Sequence, residues 1–198
     1  MDALSKIAKV CPHFHLSLQS GCDDTLKAMN RKYTSSEYKE AVGILRKYYD
    51  NPAITTDIIV GFPGESLDNF DTSLSFAERI GFSQIHIFPY SRRKGTVADR
   101  MSEQFTEAEK HRREVIFAEK EHLLRTAFCS SFLGVKQEVL VEEVEESENG
   151  LIAKGHSERY CYFTFPVEED LTGEIVSVIG EKITIDCIIQ AKMVAIFH

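Results

Sequence analysis

The 198 residues contain no tryptophan, five prolines, five cysteines and no apolar run long enough to form a membrane-spanning helix. The last absence removes a membrane partner from the expected functions. The cysteines, Cys11, Cys22, Cys129, Cys161 and Cys187, show no CxxC or other metal-type spacing. Nothing reads as a signal peptide, so the expectation is free thiols in a cytoplasmic protein. No internal repeat, nucleophile–base pair or metal cluster is legible, and neither a catalytic residue nor a metal ligand is assigned. What is present is an ordinary globular composition, 43% apolar and 27% charged, with length for one large domain or two small ones.

The net charge of −8 is unevenly spread. Residues 1–127 hold 18 basic and 18 acidic side chains, whereas 128–198 hold 5 basic and 13 acidic. The shift predicts a boundary near Phe128 between two electrostatically different domains.

Residues 1–10 have helical spacing at Leu4, Ile7 and Ala8 and read as the end of a longer helix. Phe14–Leu18 reads as a strand ending in Gln19-Ser20-Gly21, with Asp23 as a cap for a short helix. Thr34 and Glu37 fit a capping box for a helix whose apolar face holds Tyr38, Val42 and Leu45. The β-branched run Ile54–Val60 predicts a strand buried on both faces. After the turn Gly61-Phe62-Pro63-Gly64, Ser66 opens a helix that Gly81 stops. Gln84–Phe88 is a third strand, followed by the basic loop Tyr90–Thr96. A long helix then runs from about Thr106, with Glu109 completing a capping box, to about Phe128.

Alternating strands and helices at this spacing predict βαβ units, a parallel sheet and an α/β class. Right-handed crossovers bring the strand C-termini to one rim, gathering Gln19, Ser20, Gly61, Glu65, Ser91 and Arg92. The tail differs. Five or six short strands, broken by Asn149-Gly150, Pro166 and Gly180, predict a small all-β barrel of OB type without a helix.

Several residues could carry chemistry. Gln19-Ser20-Gly21 is either a ligand contact or a polar strand end with a glycine for the turn. Asp57 interrupts an apolar strand, and a buried carboxylate needs a partner, whether Arg31, a backbone amide or a ligand hydroxyl. Gly61 to Glu65 could present backbone N–H groups to a ligand, or Glu65 could be a favourable acid near a helix N-terminus. Arg92, Arg93 and Lys94, three consecutive cations on the rim, suit a phosphate or a carboxylate. Tyr33, Tyr90, His86 and His111 lack metal spacing and read as structural.

Three segments together resemble one family. They are His15–Gly21 with Met29–Thr34, Thr56–Glu65, and Phe88–Thr96, and they are similar to the radical S-adenosylmethionine methylthiotransferases. The tail, with Gly155-His156-Ser157-Glu158-Arg159-Tyr160, resembles the TRAM domain of that family. The resemblance implies the C-terminal half of an open, TIM-like barrel over 1–127 and a TRAM-like barrel over 128–198. It implies S-adenosylmethionine and [4Fe–4S] clusters as cofactors, tRNA as partner, and addition of a 2-methylthio group to adenosine beside the anticodon. The combination of His13–Ser17 with Ser91–Thr96 points to the branch acting on N6-threonylcarbamoyladenosine. By the same resemblance Gln19, Ser20 and Asp57 meet the cofactor ribose side, Arg31 its carboxylate, and Gly61 and Glu65 its adenine and methionine side. Ser91, Arg92 and Arg93 face the substrate.

The family's CxxxCxxC motif is absent from these residues, and scattered cysteines cannot hold a cluster. The chain is therefore expected to be inactive alone and to work with the missing N-terminal half of the same protein. The strand at Phe14–Leu18 would then be an open sheet edge inviting self-association. The competing expectations are a non-catalytic RNA-binding module, or a fragment of a radical enzyme acting on isopentenyladenosine-tRNA or on a ribosomal protein.

Overall fold

In the computed structural model, which describes residues 2–7, 9–148 and 150–197, strand β2 (Ala53–Val60) is the centre of the first sheet. It lies between β1 (His13–His15) and β3 (Gln84–Pro89) in a three-stranded sheet of order β1-β2-β3. β2 and β3 are parallel, with Asp57 opposite His86 and Val60 opposite Pro89. Helices fill the connections: α2 (Asp23–Ala28), α3 (Ser35–Tyr48), α4 (Leu67–Ile80) and α5 (Glu107–Ser130). A short α1 covers Asp2–Ser5. Among the described residues this helix ends at Ser5, short of the Ile7 that the spacing includes, and Ala8 lies outside the described residues.

The chain divides into two compact units, Met1–Ala8 with Phe14–Leu124, and Lys9–His13 with Arg125–His198. In the first, alternation along β2 aims Ile54, Ile58 and Val60 at Val42, Leu45, Phe70, Ala77, Ile80 and Phe117. Each such side chain contributes about 1.5–3 kcal/mol on burial. The opposite face of β2 is buried at Ala53 and Thr55 and half-open at Asp57 and Ile59, so the burial on both sides that its composition predicts holds for the first half of the strand.

The local signals behave as their chemistry dictates. Thr34 and Glu37 close a reciprocal capping box on α3. Ser66 caps α4, and Gly81 ends it in the left-handed conformation, φ 65°. Asp23 does not cap α2; Cys22 occupies that place, and Asp23 accepts instead from the Ser35 N–H at 2.7 Å. The Thr106 hydroxyl accepts from the Glu109 N–H, but the Glu109 carboxylate is engaged by Arg112 and Arg113.

In the second unit five strands close into a barrel of order β4-β5-β6-β8-β7. They are β4 (Lys136–Ser147), β5 (Gly150–Ser157), β6 (Tyr162–Val167), β7 (Ile175–Ile183) and β8 (Ile189–Phe197). All pairings are antiparallel except β6 with β8. Val139, Phe163, Phe165, Val176, Val178 and Ile189 fill its core. The five strands fall within the five or six that the sequence predicts. Gly180 lies inside β7, where a Cβ would come within 2.8 Å of Ile189, and the irregularity between Gly180 and Lys182 carries the strand onward. Pro166 lies inside β6, beyond the two residues that pair with β8, where a missing N–H is tolerated. Gly150 opens β5, while Asn149 of the expected turn lies outside the described residues. No disulfide joins the cysteines, although Cys129 and Cys161 lie 3.9 Å apart in the barrel core. No described helix is long and apolar enough to cross a membrane.

Candidate functional site

Past His15 the Leu16 N–H still donates to the Thr55 carbonyl at 3.0 Å, and pairing with β2 then gives way to bonds with side chains. The Leu16 carbonyl accepts from the Thr56 hydroxyl at 2.6 Å and from Tyr38 at 2.7 Å, while the Leu18 N–H donates to Thr56 Oγ1 at 2.9 Å. The Tyr33 hydroxyl donates to the Leu18 carbonyl at 2.9 Å. Burial pushes the Tyr38 and Tyr33 phenols up, so both remain neutral donors. The chain then rejoins β2: the Gln19 N–H donates to the Asp57 carbonyl at 2.8 Å, and the Ile59 N–H donates to the Gln19 carbonyl at 2.9 Å.

Gln19 holds this position at φ 72°, a conformation that costs an ordinary residue about 1–2 kcal/mol. Such strain persists where surrounding structure enforces it, and it is enriched at functional sites. Here the bonds to β2 on either side of Ile58 enforce it.

Gln19 and Asp57 line a cleft of about 480 Å³ with Ile59, Phe88, Ser91 and Arg93. Its volume lies within the usual range for small-ligand sites. The Asp57 carboxylate is half-buried, with His15 Nε2 and the Ser17 hydroxyl each 3.3 Å from Oδ2. Its partners are therefore His15 and Ser17 rather than Arg31, and the cost expected for a buried carboxylate is relieved by them and by partial solvent. Tyr90, also on the cleft wall, has a buried hydroxyl without a hydrogen-bond partner.

Of the nine residues singled out by the sequence, the cleft collects Gln19, Asp57, Ser91 and Arg93. The other five have different surroundings. Ser20 is buried, and its hydroxyl accepts from the Cys22 N–H. Arg31 is exposed and does not line the cleft. The Gly61 N–H donates to Glu65 Oε2 at 2.8 Å, and the Gly64 N–H donates to the Glu103 carbonyl, so this turn spends these amides on the chain itself. Glu65 is buried against Arg113 rather than presented at a helix end. Arg92 donates to Asp99 Oδ1 at 2.6 Å and to its backbone carbonyl, which commits it to folding the 92–99 loop. That bond, with the Gly95 N–H, holds the Asp99 carboxyl below its ordinary value.

The structure also groups residues that linear spacing left apart. His15, Asp57 and His86 offer ligand atoms within 4.8 Å of one another. His86, which lacks metal spacing in the sequence and reads there as structural, is one of the three. The signal was the period-two alternation of three strands, but using it requires the register that sets Asp57 beside His86.

In the barrel, His156 stacks on the exposed Tyr160 at 4.2 Å. Three of its five basic residues are paired with acids: Lys154 with Glu145 at 2.5 Å, Arg159 with Glu158, and Lys192 with Glu181 at 3.5 Å.

Residues 1–77 match the family model described as the Radical SAM superfamily. The tRNA-2-methylthio-N(6)-dimethylallyladenosine synthase of Alkaliphilus oremlandii is 36% identical over 90% of this chain and 38% of its own length. The threonylcarbamoyladenosine tRNA methylthiotransferase MtaB of Bacillus subtilis is 34% identical over 90% of this chain and 40% of its own length. MtaB of Thermotoga maritima is 41% identical over 72% of this chain and 33% of its own. The chain thus spans about two fifths or less of these relatives' lengths. It is a relative of the radical SAM tRNA methylthiotransferases.

Proposed function

We propose that this chain supplies cofactor and substrate contacts to a tRNA methylthiotransferase whose substrate base is N6-threonylcarbamoyladenosine. The observation that carries this reading is Arg93 on the wall of the cleft shared by Gln19 and Asp57, while its neighbour Arg92 is held by Asp99. The threonylcarbamoyl group ends in a carboxylate, and a guanidinium recognises a carboxylate through two parallel hydrogen bonds. A dimethylallyl group offers it nothing to bind.

The cleft fits S-adenosylmethionine by its donor set. The Asp57 carboxylate, bonded through Oδ2 among the described residues, can accept from a ribose hydroxyl through Oδ1, and the Gln19 amide can donate or accept beside it. Ile59 and Phe88 give the purine an apolar wall. When bound with its cluster, the cofactor supplies the radical chemistry. This chain's residues orient ligands and exclude water. Without CxxxCxxC the 198 residues are expected to be inactive alone, and a site-differentiated cluster after anaerobic reconstitution would contradict that.

The strand order and the single parallel pair support reading 128–198 as a TRAM-type, OB-like barrel, with 1–127 as the half barrel. The pairing of Lys154, Arg159 and Lys192 with acids weakens the alternative of a stand-alone RNA-binding module, because neutralised cations release few counterions.

Mass spectrometry of tRNA nucleosides from cells with and without the encoding gene tests the substrate. Loss of 2-methylthio-N6-threonylcarbamoyladenosine is expected. Loss of the dimethylallyl product instead would overturn the reading.

A further inference from the structure

On the sheet face opposite the helical core, one side chain from each of three neighbouring strands converges. Asp57 and His86 are direct neighbours in the β2–β3 register, and His15 Nε2 approaches Asp57 Oδ2 to 3.3 Å from β1. The imidazole centroids of His15 and His86 are 6.1 Å apart. The ligand atoms of all three residues lie within 4.8 Å of one another.

We propose that His15, Asp57 and His86 form a mononuclear site for a first-row divalent transition-metal ion. The spacing suits it. An ion bound tetrahedrally at about 2.0–2.1 Å holds its ligand atoms roughly 3.3 Å apart, and His15 and Asp57 already stand at 3.3 Å. The donor set suits it too, because two neutral imidazoles with one carboxylate select zinc or iron(II) rather than magnesium or calcium. An outer contact fixes the first ligand. His15 Nδ1 lies 3.1 Å from Thr55 Oγ1, and the tautomer in which Nδ1–H donates to that hydroxyl leaves the Nε2 lone pair for the ion.

The simpler account is a hydrogen-bonded His–Asp pair that tidies the surface. With 40% and 28% of those side chains exposed, such a pair contributes little to stability, and it leaves the position of His86 unexplained. A three-residue ligand set also leaves at least one coordination position open. Since Asp57 lines the cleft, that position lies beside the space where an oxygen or nitrogen donor of a bound ligand can reach the ion.

The test uses the 198-residue chain, stripped with chelator and kept reduced, with cobalt(II) and then zinc(II) as the only probes. One cobalt(II) per chain is expected, with visible d–d absorption, no thiolate charge-transfer band and displacement by zinc(II). His15→Ala and His86→Ala should each weaken cobalt binding at least tenfold with unchanged circular dichroism, and Asp57→Asn should do the same. Absence of stoichiometric binding, thiolate bands, or a histidine variant that binds cobalt as tightly as the natural chain would overturn the site. A measurement on the unaltered chain guards against variants that fail to fold. Zinc(II) should shift the ring-nitrogen resonances of two of the seven histidines, and an unchanged set would equally overturn it.

Discussion

The Arg113 guanidinium reaches Glu65 across the first unit, donating to its Oε2 at 2.7 Å and to its backbone carbonyl at 2.8 Å. Only 2% and 1% of the two side chains are exposed. Burial pushes the Glu65 carboxyl up, and the Gly61 N–H and Arg113 pull it back. The Phe105 and Phe70 rings flank the guanidinium at 4.2 and 5.4 Å.

Arg113→Met should therefore be severe. It strands a carboxylate in the interior, a loss of about 3–5 kcal/mol in chemical denaturation at neutral pH. Adding Glu65→Gln should recover part of that loss, because the amide oxygen still accepts from Gly61 without needing a cation. A double variant as unstable as the single one would show that the charge is not the cause.

Glu109 gives a pH signature of opposite origin. Hydrogen bonds from Arg112 and Arg113 hold its carboxyl at about 2, below the ordinary 4.5. A depressed folded value contributes stability that is present above the unfolded value and is lost as pH falls through the folded one. The difference in unfolding midpoint between the natural chain and Glu109→Gln should be full at pH 6. It should shrink below pH 4.5 and fade towards pH 2. A difference constant over that range would remove Glu109 from the acid response.

What the sequence disclosed follows the range of the forces involved. The box at Thr34 and Glu37 and the stop at Gly81 involve neighbours within four residues, so both are legible without a fold. Glu65 looked like a helix-end acid because its partner, Arg113, is 48 positions away and gives no local sign. Asp23 looked like a cap because its actual donor, the Ser35 N–H, is brought over by the turn between α2 and α3. The cleft was half legible. Gln19, Ser91 and Arg93 are polar residues beyond strand ends and Asp57 is a carboxylate inside an apolar strand, but only geometry separates Arg93 from the committed Arg92. His86 needed the β2–β3 register, which no single strand encodes.

Gln19 separates strain from function. Gln19→Gly removes the penalty of φ 72° and should stabilise the chain by about 1 kcal/mol in urea unfolding. In the enzyme that carries this chain, the same change should weaken S-adenosylmethionine binding by calorimetry, because the amide leaves the cleft. Unchanged affinity would remove Gln19 from the site, and a loss of stability would mean its side chain supports the fold more than its backbone strains it.

Gly155 is the position where the barrel tolerates no side chain. It pairs with Val141, beside the register shift in β4, and a Cβ there would lie 1.8 Å from the Leu140 carbonyl oxygen and 3.2 Å from the Val141 Cα. Both atoms are backbone, so relief requires parting β4 from β5 rather than turning a rotamer. Gly155→Ala should cost upward of about 3 kcal/mol, at or beyond the usual limit for overpacking. Gly43 in α3 is the control, since a Cβ there meets nothing within 4 Å. Gly43→Ala should stabilise by about 1 kcal/mol through helix propensity alone. Thermal unfolding of the two variants should therefore move in opposite directions, and a Gly155→Ala chain as stable as the natural one would mean that the β4–β5 pairing is looser than this contact requires.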